Sequence, residues 1–306
     1  MKKVYLILAM MFLAAIVKVA AQQDPQFSQH MFAKLAFNPA YAGASGGYCG
    51  TMLYRNQWTG FGGEPKTFLF TGDAYVDVIR GGVGLTVTSD QIGFDKNLSV
   101  RGAYAYRTEL GAGKLGVGLD FGMMQKSIDG SKFIFSDAGD QSIPSTNVSG
   151  STFDLGFGAY YNTDKLFVGA SASHLTEGEI KYGEIKTKLA RHYYLQAGYG
   201  VDLTSSLVLK PSVLVKTDAA STQLDINANL VKDNKYWGGL SYRVQDAIVI
   251  MAGIEIIPNL KFGYSYDLTL SDIKTYSSGT HEIMLGYCFK PVKVIHRQFH
   301  RNVRFL

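Results

Sequence analysis

The amino-acid sequence predicts an all-β protein: a transmembrane outer-membrane β-barrel of about 14 antiparallel strands with a short N-terminal helical plug or collar segment and a short periplasmic C-terminal tail. Three observations carry this. The chain opens with an export leader. Most of the remaining chain alternates apolar and polar residues with a period of two. The connections between alternating segments are short on one side and mostly longer on the other.

The leader occupies 1–21. Lys2 and Lys3 form a basic start, 4–17 an apolar stretch, and Val19-Ala20-Ala21 a small-residue cleavage site before Gln22. This is a secretory signal peptide, too short and wrongly flanked for a membrane anchor. No Cys follows the apolar run, so a lipid anchor is not indicated.

Residues 22–42 form the second element. Asp24 can cap a helix, and Pro25 suits its first turn. Phe27, Met31, Lys34 and Leu35 share one helical face, and Asn38-Pro39 stops the helix and turns the chain toward the first strand. The expected helix either plugs or collars the barrel, or lies amphipathically on the membrane surface.

Residues 43–290 carry the alternation. Leu98, Val100, Gly102, Tyr104 and Tyr106 alternate with Ser99, Arg101, Ala103, Ala105 and Arg107. Leu115, Val117, Leu119, Phe121 and Met123 alternate with Gly116, Gly118, Asp120 and Gly122. Similar patterns give expected strands at 46–58, 65–78, 82–90, 97–109, 114–126, 151–161, 165–174, 189–203, 206–217, 222–231, 235–244, 247–256, 260–268 and 280–290. Many reach the roughly 9–11 residues a tilted strand needs to cross a bilayer. The apolar faces often end in an aromatic, as at Tyr104, Tyr106, Tyr161, Tyr199, Tyr264, Tyr266, Tyr287 and Phe289, which suits aromatic girdles. A large soluble β-sandwich or barrel is the competing reading, with shorter strands of roughly five or six residues. With the N-terminus in the periplasm, short connections fall on the periplasmic side, and the even strand number returns the tail, 291–306, there too. Both termini are thus expected in the periplasm.

Inward-facing charges nearly balance. Arg55, Arg101, Arg107, Lys210, Lys216, Arg243 and Lys261 stand against Asp73, Asp120, Asp154, Asp225, Glu255, Asp267 and Glu282. An anion-selective lumen would lean basic, so this one reads as internally paired. The net charge of +5 is spread out, and no dense basic block precedes the tail. With export, that argues against nucleic acid. No apolar run after the leader approaches the roughly twenty residues of a membrane helix, so a crossing must use a closed barrel.

Candidate chemistry is sparse. Gly111-Ala112-Gly113-Lys114-Leu115-Gly116 matches a dinucleotide pattern but sits between two strands, where a hairpin is the simpler reading. Asp137 and Asp140 could offer oxygens to Ca²⁺, and His296 and His300 could chelate a metal if helical; a solvated turn and a basic tail are the simpler readings. His281-Glu282 has no nucleophile beside it. No enzyme, cofactor or metal is expected. Cys49 and Cys288 fall on the first and last strands with both side chains on the lumen face, so barrel closure makes them a possible disulfide, provided the stagger of the strands brings them within reach.

Several blocks resemble one family. Asp24-Pro25-Gln26-Phe27-Ser28-Gln29, Asn38-Pro39-Ala40-Tyr41-Ala42-Gly43 and Tyr54-Arg55-Asn56-Gln57-Trp58 look like the signature of PorP/SprF proteins, type IX secretion system outer-membrane proteins of the Bacteroidetes. Pro65-Lys66-Thr67, Asp90-Gln91-Ile92-Gly93, Tyr104-Ala105-Tyr106-Arg107, Gly263-Tyr264-Ser265-Tyr266-Asp267 and Gly279-Thr280-His281-Glu282 fit as well. The resemblance implies a barrel that helps export and surface attachment of large proteins, including gliding adhesins. It also implies partners among periplasmic ring components and peptidoglycan-linked lipoproteins. In this reading Asp24, Pro25, Gln26, Phe27, Asn38, Pro39, Tyr41, Arg304 and Phe305 are plug or partner-contact candidates. Arg55, Gln57, Trp58, Arg107, Asp267 and Glu282 are candidates for bracing the barrel. A small-solute porin is the alternative; it needs an open lumen.

Overall fold

The computed structural model describes residues 24–133 and 144–290. Among these, fourteen strands close into an antiparallel barrel. In chain order they are Tyr48–Asn56, Lys66–Val76, Gly81–Ile92, Asp95–Leu110, Gly113–Asp129, Asn147–Asn162, Leu166–Ser173, His192–Tyr199, Leu207–Thr217, Thr222–Lys232, Tyr236–Arg243, Ala247–Ile257, Leu260–Thr269 and Thr280–Phe289. Each pairs with its sequence neighbours, and the first pairs with the last, so no edge strand remains. Closure of this kind satisfies every strand's backbone without water, which is what a bilayer demands. No helix among the described residues is long and apolar enough to cross a membrane.

All fourteen expected segments form strands. Their alternation sorts side chains as expected: Val117, Leu119, Phe121 and Met123 are exposed on the outer wall, while Gly116, Gly118, Asp120 and Gly122 face inward and are buried. In lipid the outer wall is the apolar band. Tyr104, Tyr106, Tyr199, Tyr264, Tyr287 and Phe289 all lie on that outer face. The segment expected at 189–203 is shorter, because Gly200 interrupts the pairing and only Val201–Asp202 continues it. Gly111-Ala112 is a two-residue hairpin turn, with Gly111 at φ +58°.

Connections at one mouth are 77–80, 111–112, 163–165, 200–206, 233–235 and 258–259. The opposite mouth carries the long ones, 57–65, 130–146, 174–191 and 270–279, among shorter ones. Within 174–191 lies a hairpin that the sequence did not suggest, Glu179–Tyr182 paired with Ile185–Lys188. Its Ile180 and Tyr182 pack with Leu189 against Met124, Ile128 and Val148.

The helix expected over the N-terminal segment does not form. Three short 3-10 turns take its place, His30–Phe32, Lys34–Ala36 and Pro39–Tyr41. Asp24 does not cap a helix; its carboxylate bonds side chains of the wall. The physical reason lies in the lumen wall, which takes the backbone groups a helix would pair internally. Glu282 accepts from the Ser28 and Gln29 amides at 2.8 and 2.7 Å. Thr51, Arg101, Ser171 and Arg107 donate to the carbonyls of Phe32, Ala36, Phe37 and Ala40. Tertiary partners here override a modest helix propensity. Packing agrees: Phe27, Ala33 and Phe37 join one core cluster, while Leu35 joins another with Ala42 and Ala105.

The segment runs the length of the lumen. It starts at the long-connection mouth, where Asp24 meets His174 and His192, and ends at the other, where the Gly43 amide donates to Asp73. Lys290, after the last strand, is also at that second mouth. The two described ends of the chain, Asp24 and Lys290, therefore lie at opposite mouths. The leader 1–21 and tail 291–306 lie outside the described residues, as do Asp137, Asp140, His296, His300, Arg304 and Phe305.

Cys49 and Cys288 stand directly opposite each other across the seam of first and last strands, and the structure joins them in a disulfide. We expect denatured protein to take up thiol label only after reduction. Equal labelling with and without reductant would show that the bond does not form.

Candidate functional site

Two sequence blocks at the ends of the chain meet inside the barrel, toward the long-connection ends of their strands. Arg55 comes from the first strand, Arg243 from the eleventh, Asp267 from the thirteenth and Glu282 from the last. Their alternation points all four inward, and their side chains are almost fully buried. Arg55 reaches Asp267 at 2.9 Å and Glu282 at 3.3 Å. Arg243 reaches Asp267 at 2.9 Å, Asp225 at 3.3 Å and Asp246 at 3.4 Å. Asp267 thus bridges two guanidinium groups.

The N-terminal segment supplies the centre of this cluster. The Ser28 hydroxyl donates to Asp267 at 2.7 Å and accepts from Arg55 at 2.8 Å and Arg243 at 3.2 Å. Together with the two amides held by Glu282, this fixes Ser28-Gln29 to four strands at once. Buried ion pairs need such additional hydrogen bonds to offset their desolvation. The cluster anchors a segment to a wall. It holds no nucleophile poised toward a cavity, and its carboxylates are already occupied by arginines.

A second anchor lies toward the opposite mouth. Asn38 accepts from the Ala40 amide at 2.9 Å and donates to the carbonyls of Ala159 and Ala170 at 2.9 and 3.3 Å. The wall there is lined with glycine. A Cβ on Gly118 would come within 2.6 Å of the Ala40 nitrogen, and one on Gly158 would collide with the Asn38 side chain. Gly43, at φ +69°, packs so close to Gly82 that neither tolerates a side chain. Arg107 closes this region by donating to Asn162 at 2.6 Å and to Ala40. Tyr41 stacks edge-on against Tyr160, 5.3 Å between centroids. Lys34 sits 3.4 Å above the Phe167 ring, beside a cavity of about 500 Å³ that opens at this mouth.

The site residues expected from sequence fall into groups. Arg55, Asp267 and Glu282 converge in one cluster, while Arg107 belongs to the second anchor. Asp24, Gln26, Phe27, Asn38, Pro39 and Tyr41 all lie along the lumen segment, where Gln26 pairs with Gln223 and Phe27 joins the core with Phe37, Leu53 and Trp237. Pro25 borders the small cavities beside Asp24. The contacts these residues make within the chain are with the lumen wall. Gln57 and Trp58 sit at the long-connection rim, held through their amides by Pro65 and Thr280. Beside them Asn56 and the Gly60 amide keep the Glu64 carboxyl below its ordinary range. Sequence reasoning placed Arg243 and Asp225 on the lumen face but gave them no role. Ser28, His174 and His192 carry no role in the sequence reading; Ser28 meets strands remote in sequence, and the two histidines meet through Asp24 of the lumen segment.

An apolar outer wall, strand closure without an edge and a charged lumen occupied by the chain's own N-terminal segment define an outer-membrane barrel protein. The family described as type IX secretion system membrane protein PorP/SprF matches residues 19–287, and the chain belongs to it. Among curated proteins no match is found. Among solved structures the chain is similar to the Acinetobacter baumannii outer membrane protein Omp33, at 10% identity and a TM-score of 0.46 over 79% of this chain and 99% of that one. It is similar also to the Ralstonia pickettii toluene transporter TbuX, at 11% identity and 0.48 over 84% and 93%. At these values the likeness concerns general barrel shape; the strand pairings of the chain itself establish the closure.

Proposed function

We propose that this protein is a non-enzymatic outer-membrane component of type IX secretion that supports export and surface attachment of large cargo proteins of the adhesin type. Membership of the PorP/SprF family supports the secretion role. The observation that favours an accessory over a solute channel is the occupied lumen: Ser28 is tied to Arg55, Arg243 and Asp267 inside the barrel.

In this reading the long connections, 57–65, 174–191 and 270–279, face outward toward cargo. The mouth bearing the Cys49–Cys288 seam faces the periplasm, toward ring components and lipoproteins. Partner contact then belongs to those rims and to the tail residues Arg304 and Phe305, with Asp24 to Tyr41 serving as internal bracing. Small-solute diffusion is the second reading, favoured by the 500 Å³ cavity at one mouth.

The test compares a strain lacking this gene with its parent. Surface and secreted proteins are quantified by mass spectrometry, and uptake of small hydrophilic solutes is measured alongside. Selective loss of one or a few large surface proteins, with uptake unchanged, is expected. Slowed uptake with an unchanged surface would overturn the proposal in favour of the solute channel.

A further inference from the structure

At the long-connection mouth, three side chains that no secretory role requires converge on one point. His174 follows the seventh strand, and His192 opens the eighth opposite Ser173, so strand pairing makes the two rings neighbours, 5.7 Å between centroids. Asp24 reaches them from the lumen segment. Its Oδ1 lies 2.9 Å from His174 Nε2, and its amide nitrogen lies 3.2 Å from His192 Nε2. One ligand-capable atom from each of the three falls within 4.8 Å of the others.

The far side of each ring is also fixed. His174 Nδ1 faces the Asp154 carboxylate at 2.7 Å, and His192 Nδ1 faces the Ala190 carbonyl at 2.9 Å. The Ala190 carbonyl at Nδ1 and the Asp24 amide donating to Nε2 assign the His192 proton to Nδ1, whereas His174 has a carboxylate at each ring nitrogen and donates to both. Each Nε2 is the atom turned toward Asp24. A carboxylate or carbonyl behind each imidazole is the arrangement that orients histidines on a metal.

We propose that Asp24, His174 and His192 form a binding site for a zinc-type divalent cation, with Asp154 and Ala190 positioning the two imidazoles. Two imidazoles and one carboxylate select a borderline transition metal over Ca²⁺ or Mg²⁺. Zinc bonds of about 2.0–2.1 Å set tetrahedral ligand atoms roughly 3.3 Å apart, so Asp24 and His174 open by a few tenths of an ångström, while His192 Nε2, within 4.8 Å of the other two ligand atoms, closes in and gives up the hydrogen bond it accepts from the Asp24 amide. Binding displaces any proton on His174 Nε2 to solvent. The remaining coordination position faces a cavity of about 70 Å³ lined by Thr88, Asp90, Asn97 and Lys126, which leaves room for a water ligand. The Tyr194 hydroxyl holds the second Asp24 oxygen, and Lys216 donates to the Asp24 carbonyl at 2.9 Å, so Asp24 is held in place from its other sides. A bound ion would pin the start of the lumen segment to the wall. The site does not depend on the proposed secretory role.

The test uses full-length mature protein, without a polyhistidine tag, purified in detergent and stripped with chelator. After dialysis against ZnCl₂, one zinc per chain is expected by elemental analysis. CoCl₂ is expected to give the intense visible bands of a tetrahedral site. Asp24→Asn and His192→Gln should each weaken zinc binding by at least about tenfold, and Asp154→Asn by about 10–100-fold. His281→Gln, on the outer wall, should bind as the parent does. Retention of compact mobility on unheated gels verifies folding of each variant. Parent protein that takes up no stoichiometric zinc and gives no cobalt bands overturns the proposal without recourse to any variant. So does binding unaffected by His192→Gln.

Discussion

Replacing Arg55 with alanine is expected to destabilise the folded barrel by about 3–5 kcal/mol, because it strands two buried carboxylates whose partner is gone. Asp267 and Glu282 are both almost wholly buried and both contact Arg55. Arg243 cannot compensate fully, since its guanidinium is already shared among Asp225, Asp246 and Asp267. The change can be read as a lower urea midpoint for loss of compact mobility on unheated gels. Removing the exposed partner in the Lys66–Glu64 pair, as Lys66→Ala, should leave the midpoint close to that of the parent. Ser28→Ala should cost about 1–3 kcal/mol, since it withdraws a hydroxyl that satisfies three buried charged groups. The two effects should fall short of additivity, because the residues touch. An Arg55→Ala midpoint equal to that of Lys66→Ala would mean that the cluster does not hold the barrel together.

The fourteen strands were legible because a barrel wall has one lipid face and one lumen face, so the period of two runs through most of each strand, with a register shift at Glu255–Ile257 near the end of the twelfth. Inward charges were legible for the same reason: Arg55, Asp267 and Glu282 fall on the polar phase of their strands. Which charges meet was not, because register between the first, eleventh, thirteenth and last strands is a property of closure. The lumen segment shows the opposite failure. Asp24-Pro25 and Asn38-Pro39 look like helix boundaries, and local rules weigh only local partners. The actual partners of this backbone are Glu282, Arg101, Ser171 and Arg107, all remote in sequence. The Asn38-Pro39 turn itself survives, with Asn38 bonding the Ala40 amide. His174 and His192 are separated by a connection that contains its own hairpin, so nothing local links them.

Deleting 24–43 is expected to open the barrel. Fourteen strands lie between small barrels that side chains can fill and the 16–18-stranded porins whose lumen is an aqueous channel, so removing the segment leaves space that wall side chains alone do not occupy. In planar bilayers the truncated protein should show stable conductance at least about tenfold above the parent. The parent should show little, because Phe27, Phe37, Leu53 and Trp237 pack the segment against the wall. The glycine-lined wall offers a gentler version of the same experiment. Valine at Gly158 or Gly118 would occupy the space now taken by Asn38 and Ala40, so the turn must leave while the strands remain intact. Such overpacking costs about 1–3 kcal/mol, small enough for the barrel to assemble. Protease accessibility of the segment should then rise together with conductance. A truncated protein that keeps compact mobility but conducts no better than the parent would show that the segment braces the wall without occluding it. A parent that conducts as well as the truncation would support the solute channel instead, since the lumen segment would then leave an open path beside it.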